Sequence, residues 1–223
     1  LTNSGKVYIF KRTSGTENWT CRASFSAPTS APQKYDMFGI SVSIYGDYAI
    51  VGARYSDAGD PGNHGSAYIF KRTSGTENWT QKQEIMATPN VAGGNFGNSV
   101  SIYGDYAIVG AVGVIPHVRS GSAYIFKRTS DTENWTLQET FTGDMNDYFG
   151  CSVAISGDYA IVGSEIPTNG GIVNVGCAYI FKKGSGTTWT QQAKLVSSDP
   201  TQGDQLGVDV AISENCAIIG SRY

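Results

Sequence analysis

The chain has 223 residues, a net charge of −3 and a pI near 5.3. That length buries a core without help from disulfides or metals, and that charge lacks the concentrated positive field a nucleic-acid binder needs. No run approaches the ~18 apolar residues that cross a bilayer. With 16% charged residues, 28 Gly, 13 Tyr and 9 Phe, the composition is that of a β protein with many turns. The chain opens at Leu1 without a methionine, as a processed product or an excerpt of a longer protein does, so the lack of a signal peptide says nothing of location.

Taken in chain order, the first periodic segment is GKVYIFKRTSGTENWT from Gly5. It returns as GSAYIFKRTSGTENWT from Gly65, GSAYIFKRTSDTENWT from Gly121 and GCAYIFKKGSGTTWT from Gly176. A second segment alternates with it: FGISVSIYGDYAIVGAR from Phe38, FGNSVSIYGDYAIVGAV from Phe96, FGCSVAISGDYAIVGSE from Phe149 and LGVDVAISENCAIIGSR from Leu206. Internal repetition of this kind outranks any single motif. In the repeat from Phe38, Ile40, Val42 and Ile44 alternate with Ser41 and Ser43, which predicts a strand A with one buried face. Gly46-Asp47 is a two-residue hairpin turn. Tyr48 to Ala53 is the predicted strand B, Ala67 to Lys71 strand C and Trp79 to Ile85 strand D. Nothing shows a sustained period of 3.6, so no helix is expected. Four short strands per period of about 53 to 60 residues make an all-β propeller of four-stranded antiparallel blades.

The FG dipeptide, the GA of IVGA and the GSAYIF that follows resemble the FG-GAP repeat of integrin α-subunit propellers, closest to its secreted, tandem-repeat branch. The resemblance covers nearly the whole chain. It implies an extracellular or cell-surface propeller used for adhesion or recognition, and it brings no ligand with it. The chain begins with strands C and D and ends with strands A and B. One domain over 1–223 is therefore expected, with four blades closed by pairing half-blade 1–24 with half-blade 206–223. The alternative is a segment of a longer propeller, seven-bladed for example, or of an open array.

Compared with one another, the repeats differ mainly in their B–C loops (54–64, 112–120 and 165–175) and D–A loops (87–95, 142–148 and 197–205). Strand alternation puts both sets on one face of the disc, where a diversified surface over a constant scaffold suits binding. The alternative is drift of unconstrained loops. Candidate ligand contacts on that face are Tyr55, Asp57, Asp60, Asn63, His64, His117, Arg119, Glu165, Asn169 and Asn174. Asp57, Asp60 and Asn63 are the one set of spaced oxygen donors, and they read as a solvated turn in preference to a cation site.

Catalysis finds no constellation: there is no HExxH, GxSxG, paired CxxC or phosphate-cradling loop. The two-residue A–B turns are too short to offer the six to eight oxygens of a calcium site, so the calcium loops of integrin-type blades are not carried over. No catalytic residue, metal or cofactor is expected. Lys11-Arg12, Lys71-Arg72, Lys127-Arg128 and Lys182-Lys183 share the hairpin face with Glu17, Glu77 and Glu133, a self-compensated rim. Asn18, Asn78 and Asn134 begin NWT sequons at the tips of C–D hairpins, the signature of N-glycosylation. Cys21, Cys151, Cys177 and Cys216 do not recur between repeats; strand spacing sets Cys21/Cys216 and Cys151/Cys177 roughly 9–10 Å apart, beyond the ~7 Å of a bridge, so the even count does not imply two internal disulfides, and buried thiols or intermolecular links are equal alternatives. The expected function is non-enzymatic recognition of a protein or glycan, with self-association as a further partnership. The alternative is a structural subunit of a cell-surface layer or extracellular filament. Neither nucleic-acid binding nor membrane insertion is expected.

Overall fold

The computed structural model describes residues 5–27, 36–56, 64–88, 94–113, 120–144, 147–166, 171 and 173–222. Among them are sixteen strands and no helix. β1 (Lys6–Arg12) and β2 (Trp19–Ser26) form a two-stranded antiparallel sheet. The first full blade has the order β3 (Val42–Tyr45), β4 (Tyr48–Ala53), β5 (Ser66–Arg72) and β6 (Trp79–Ile85). The second runs β7 (Phe96–Tyr103), β8 (Tyr106–Ala111), β9 (Ser122–Arg128) and β10 (Trp135–Thr142). The third runs β11 (Phe149–Ser156), β12 (Tyr159–Ser164), β13 (Cys177–Lys183) and β14 (Trp189–Leu195). β15 (Val210–Ser213) and β16 (Cys216–Ile219) make a second two-stranded sheet. Strands B and D of the first blade keep their predicted bounds, and strand C gains a residue at each end. The expected half-blades are present at the two ends, and they stay separate: no ladder joins β1–β2 to β15–β16.

The blades stack in a row through their apolar faces. Val100 and Ile102 of β7 cluster with Ile50 and Ile69 of the preceding blade, and Val153 and Ile155 of β11 with Ile108 and Ile125. Both faces of β4 are covered, so all six of its residues are buried. Each such aliphatic side chain contributes roughly 1.5–3 kcal/mol on burial. Aromatic pairs seal the junctions: Phe25 stacks on Phe70 at 4.3 Å and Phe141 on Phe181 at 3.8 Å. Trp135 and Trp189 meet Tyr48 and Tyr106 of the preceding blade edge-on, at 6.0 and 5.7 Å.

The buried face expected of the first strand A is not buried. Val42 and Ile44 are each 56% exposed, whereas their counterparts Val100, Ile102, Val153 and Ile155 are 4–5% exposed. The reason lies in the neighbour. Strand A covers its apolar side with strands B and C of the blade before it, and β3 is preceded by β1–β2, which has no strand B. The serines between these apolar positions have their own task. Ser41 and Ser43 hydroxyls accept the backbone N–H of Val100 and Ile102 at 3.0 and 3.2 Å. Ser99 and Ser101 do the same for Val153 and Ile155 at 3.0 and 3.2 Å, so hydroxyls bond one inner strand to the next.

The FG and GA glycines meet at these junctions. A Cβ on Gly52 of β4 would lie 2.0 Å from the Gly97 carbonyl oxygen, and one on Gly97 (φ +86°) 2.2 Å from that of Ser66. Gly110 against Gly150 and Gly163 against Gly207 repeat the approach at 2.1 and 2.0 Å. Only hydrogen fits there.

Candidate binding face

The B–C and D–A connections converge on one rim because backbone bonds tie them together. Tyr55 N–H donates to Asp36 C=O at 3.3 Å, Phe96 N–H to His64 C=O at 3.0 Å and Gly113 N–H to Gly94 C=O at 3.2 Å. Around the third blade, Ile166 N–H donates to Asp147 C=O at 3.4 Å, and Gln205 N–H to Asn174 C=O at 3.1 Å. Parallel bridges Gly121–Phe149 and Gly176–Leu206 continue the same seam.

Of the ten candidate residues, Asp57, Asp60, Asn63, His117, Arg119 and Asn169 lie outside the described residues. Tyr55 is half-buried beneath Arg54, whose guanidinium sits 4.6 Å from its ring and donates to its hydroxyl at 2.8 Å. His64 is buried, with 8% exposure, so it belongs to the floor of the rim. Glu165 is half-buried and Asn174 exposed. Tyr55 and His64 flank the first blade's B–C connection and Glu165 and Asn174 the third's, so they do not form one cluster.

Other residues do come together there. Arg54 donates to Asn98 Oδ1 at 3.1 Å, and Asn98 Nδ2 donates to Cys151 C=O at 3.0 Å. The Cys151 thiol then donates to Gly207 C=O at 3.2 Å. This line crosses three blade junctions at the inner edge of the rim. Asn98 and Cys151 occupy the position after the FG glycine, where the other repeats carry Ile40 and Val208. That departure from the repeat was the available signal. Burial, with Glu165 adding to it, pushes the Cys151 thiol up to about 12, so it is a structural thiol and not a nucleophile. At the outer edge, an open recess is lined by Phe141, Asp144, Phe149, Tyr179 and Phe181. Burial, with Asp144 nearby, raises the carboxyl of neighbouring Asp147 above the usual range.

The opposite rim is ionic. Asp47 of the first A–B turn takes two bonds from Arg72, at 2.8 and 2.6 Å. Asp105 pairs with Arg128, and Asp158 with Lys183 at 2.5 Å. Glu77 and Glu133 reach back to Lys11 and Lys71 of the preceding sheets. The turn carboxylates are thus engaged by cations of their own blades, and among the described residues no group of three His, Cys, Asp or Glu is arranged to hold a metal ion. Asn18, Asn78 and Asn134 stand exposed on this rim. The tryptophans beside Asn78 and Asn134 turn inward, while Trp19 is 63% exposed.

Among curated proteins, none matches the chain. The family model of the FG-GAP repeat matches four times, at residues 19–70, 79–126, 135–181 and 189–223. Each match starts at the tryptophan of a strand D, one strand out of phase with the blade; the first three run on through A, B and C, and the fourth covers D, A and B. The chain belongs to the FG-GAP repeat family.

Proposed function

We propose that this chain is a non-enzymatic, extracellular recognition and adhesion scaffold that holds a protein or glycan on the face formed by its B–C and D–A connections. What supports the reading is the contrast between the two rims. One is built from repeated hairpins whose charges neutralise one another. On the other, segments that differ from repeat to repeat are held side by side by backbone bonds such as Tyr55 to Asp36 and Gln205 to Asn174. A ligand there meets residues that differ from blade to blade, Tyr55, Glu165 and Asn174 among them, on a framework that need not move. The test replaces residues 57–63 and 114–119 by Gly-Ser segments of equal length and compares both chains on glycan and protein arrays. Ligands lost with an unchanged far-UV spectrum support the reading; identical binding profiles overturn it.

The sequons belong to the same proposal. Expression through a eukaryotic secretory pathway is expected to add an N-glycan at each of Asn18, Asn78 and Asn134, read as mass shifts in the three peptides. Unshifted peptides at all three would remove the glycoprotein element. The second reading, a structural subunit of a cell-surface layer or filament, draws on the near-identity of the repeats, since recent duplication lengthens arrays.

A further inference from the structure

The charge balance of the hairpin rim has one exception, inside the row. Three of the four C–D hairpins carry a glutamate two residues before the tryptophan: Glu17, Glu77 and Glu133. The hairpin of the third blade is one residue shorter, and Thr187 stands at that place before Trp189. The task of the glutamate is visible where the second blade meets the first. Glu133 bonds Lys71 and accepts the Tyr48 hydroxyl at 3.1 Å. Lys71 Nζ lies 5.5 Å from the centre of the Tyr48 ring and the Arg128 guanidinium 4.6 Å, with Trp135 edge-on at 6.0 Å.

The junction of the second and third blades repeats this group with a threonine in place of the carboxylate. Lys127 Nζ lies 5.7 Å from the centre of the Tyr106 ring and Lys183 Nζ 4.8 Å, with Trp189 edge-on at 5.7 Å. Strand pairing fixes the match, since Tyr48 faces Lys71 in the first blade and Tyr106 faces Lys127 in the second. Among the described residues no carboxylate forms an ion pair with Lys127. The acids around it have other partners. Asp105 holds Arg128 and Asp158 holds Lys183, while Asp131 accepts the Ser130 hydroxyl at 3.0 Å and Glu139 the Thr140 N–H at 3.4 Å. An open recess bordered by Thr129, Thr136, Gln138 and Thr187 leads to Lys127, with Asp105 and Asp131 on its wall.

We propose that this junction receives a carboxylate from outside the chain, a glutamate side chain of a partner protein, bonded by Lys127 Nζ and the Tyr106 hydroxyl. The chain itself supplies the template. At the preceding junction the same two donor types hold Glu133, and hydrogen bonds to an ionised acceptor are about twice as strong as neutral ones. A peptide glutamate is the occupant because the fold already seats one twice, Glu77 on Lys11 and Glu133 on Lys71, each presented by a backbone segment passing the lysine. The threonine hydroxyls and the Gln138 amide bordering the recess offer donors and acceptors to the backbone of such a segment. The site lies on the rim opposite the loop face and is independent of any ligand held there.

The test titrates the full-length chain with the capped pentapeptide TENWT, the sequence of residues 76–80, and follows amide shifts by nitrogen-15 NMR at constant ionic strength. Shifts are expected at Lys127, Thr129 and Thr187, and none with the neutral peptide TQNWT. K127M, whose far-UV spectrum is expected to be unchanged, weakens binding roughly threefold to fivefold. Replacing residues 184–188 by the sequence of residues 129–134 restores an internal glutamate and abolishes binding. E133T opens an equal site at Lys71, read as new shifts there. No shifts, equal shifts from TQNWT, unchanged affinity in K127M, binding that survives the hairpin exchange, or no new site in E133T would each overturn the proposal. Shifts with sodium glucuronate but not with TENWT would overturn the peptide glutamate in favour of an acidic sugar.

Discussion

At Gly97 two constraints coincide, a left-handed backbone and a carbonyl oxygen 2.2 Å from where a Cβ would lie. Gly104, in an A–B turn with φ +58°, has only the first, since nothing lies within 4 Å. G104A is expected to cost about 1 kcal/mol, the price of a left-handed alanine, and G97A about 3 kcal/mol because a blade junction must open as well. Urea unfolding of both variants checks this; equal costs would mean that the approach of the blades contributes nothing. Glu133 is the charged counterpart. Its bond to Lys71 holds its carboxyl below the usual range. A depressed carboxyl stabilises the fold above its unfolded pKa and loses that contribution as pH falls through the folded value. E133Q should thus cost up to about 1 kcal/mol at neutral pH, with the difference from the unsubstituted chain vanishing in strong acid. Urea midpoints of the two chains from neutral to acid pH supply the measurement.

Among the elements, every C–D pair carries the same irregularity. The register slips between Ile9 and Phe10, Ile69 and Phe70, Leu137 and Glu139, and Ile180 and Phe181. One extra residue on strand D bends each outer strand, and no residue type announces it. Hairpin turns respond to single substitutions. Gly15 and Gly75 both adopt φ 75° in the first two C–D turns; the third has Asp131 there, and the left-handed residue becomes Glu133 at φ 58°. Its N–H then bonds Thr129 C=O, one residue further back than the Thr16 to Thr13 bond of the first turn. Strand stability should follow coverage. In dilute solution, amide exchange is expected to be slowest in β4, β8 and β12, walled in on both faces, and fastest in β15–β16 and β1–β2. Protection of β16 equal to that of β12 under those conditions would contradict this ranking.

For the whole molecule, the blades hold one another through aliphatic faces, hydroxyl–amide bonds and close glycine contacts, and none of these requires an ion. Chelation of calcium is therefore expected to move the melting temperature by no more than about 2 °C. A fall of tens of degrees in a thermal melt would show that the A–B turns do bind metal. Much of the design was legible beforehand. Four-strand periods, two-residue Gly-Asp turns and the FG and GA pairs follow from local periodicity and turn chemistry, which near-identical repeats state four times over. The loop face was legible as a place, since strand direction alternates, and the tip asparagines as exposed. The individual contacts were not. His64 falls in a variable loop and is buried, while Arg54, Asn98 and Cys151 form a bonded line across blades from residues more than forty apart in sequence. The burial of strand A was misjudged for the same kind of reason: SVSI alternates identically at 41–44 and 99–102, yet Val42 is exposed and Val100 is not. Alternation decides which side of a strand is apolar. Only the tertiary structure decides whether another blade stands against that side, because such contact depends on a neighbour that the strand's own residues do not encode.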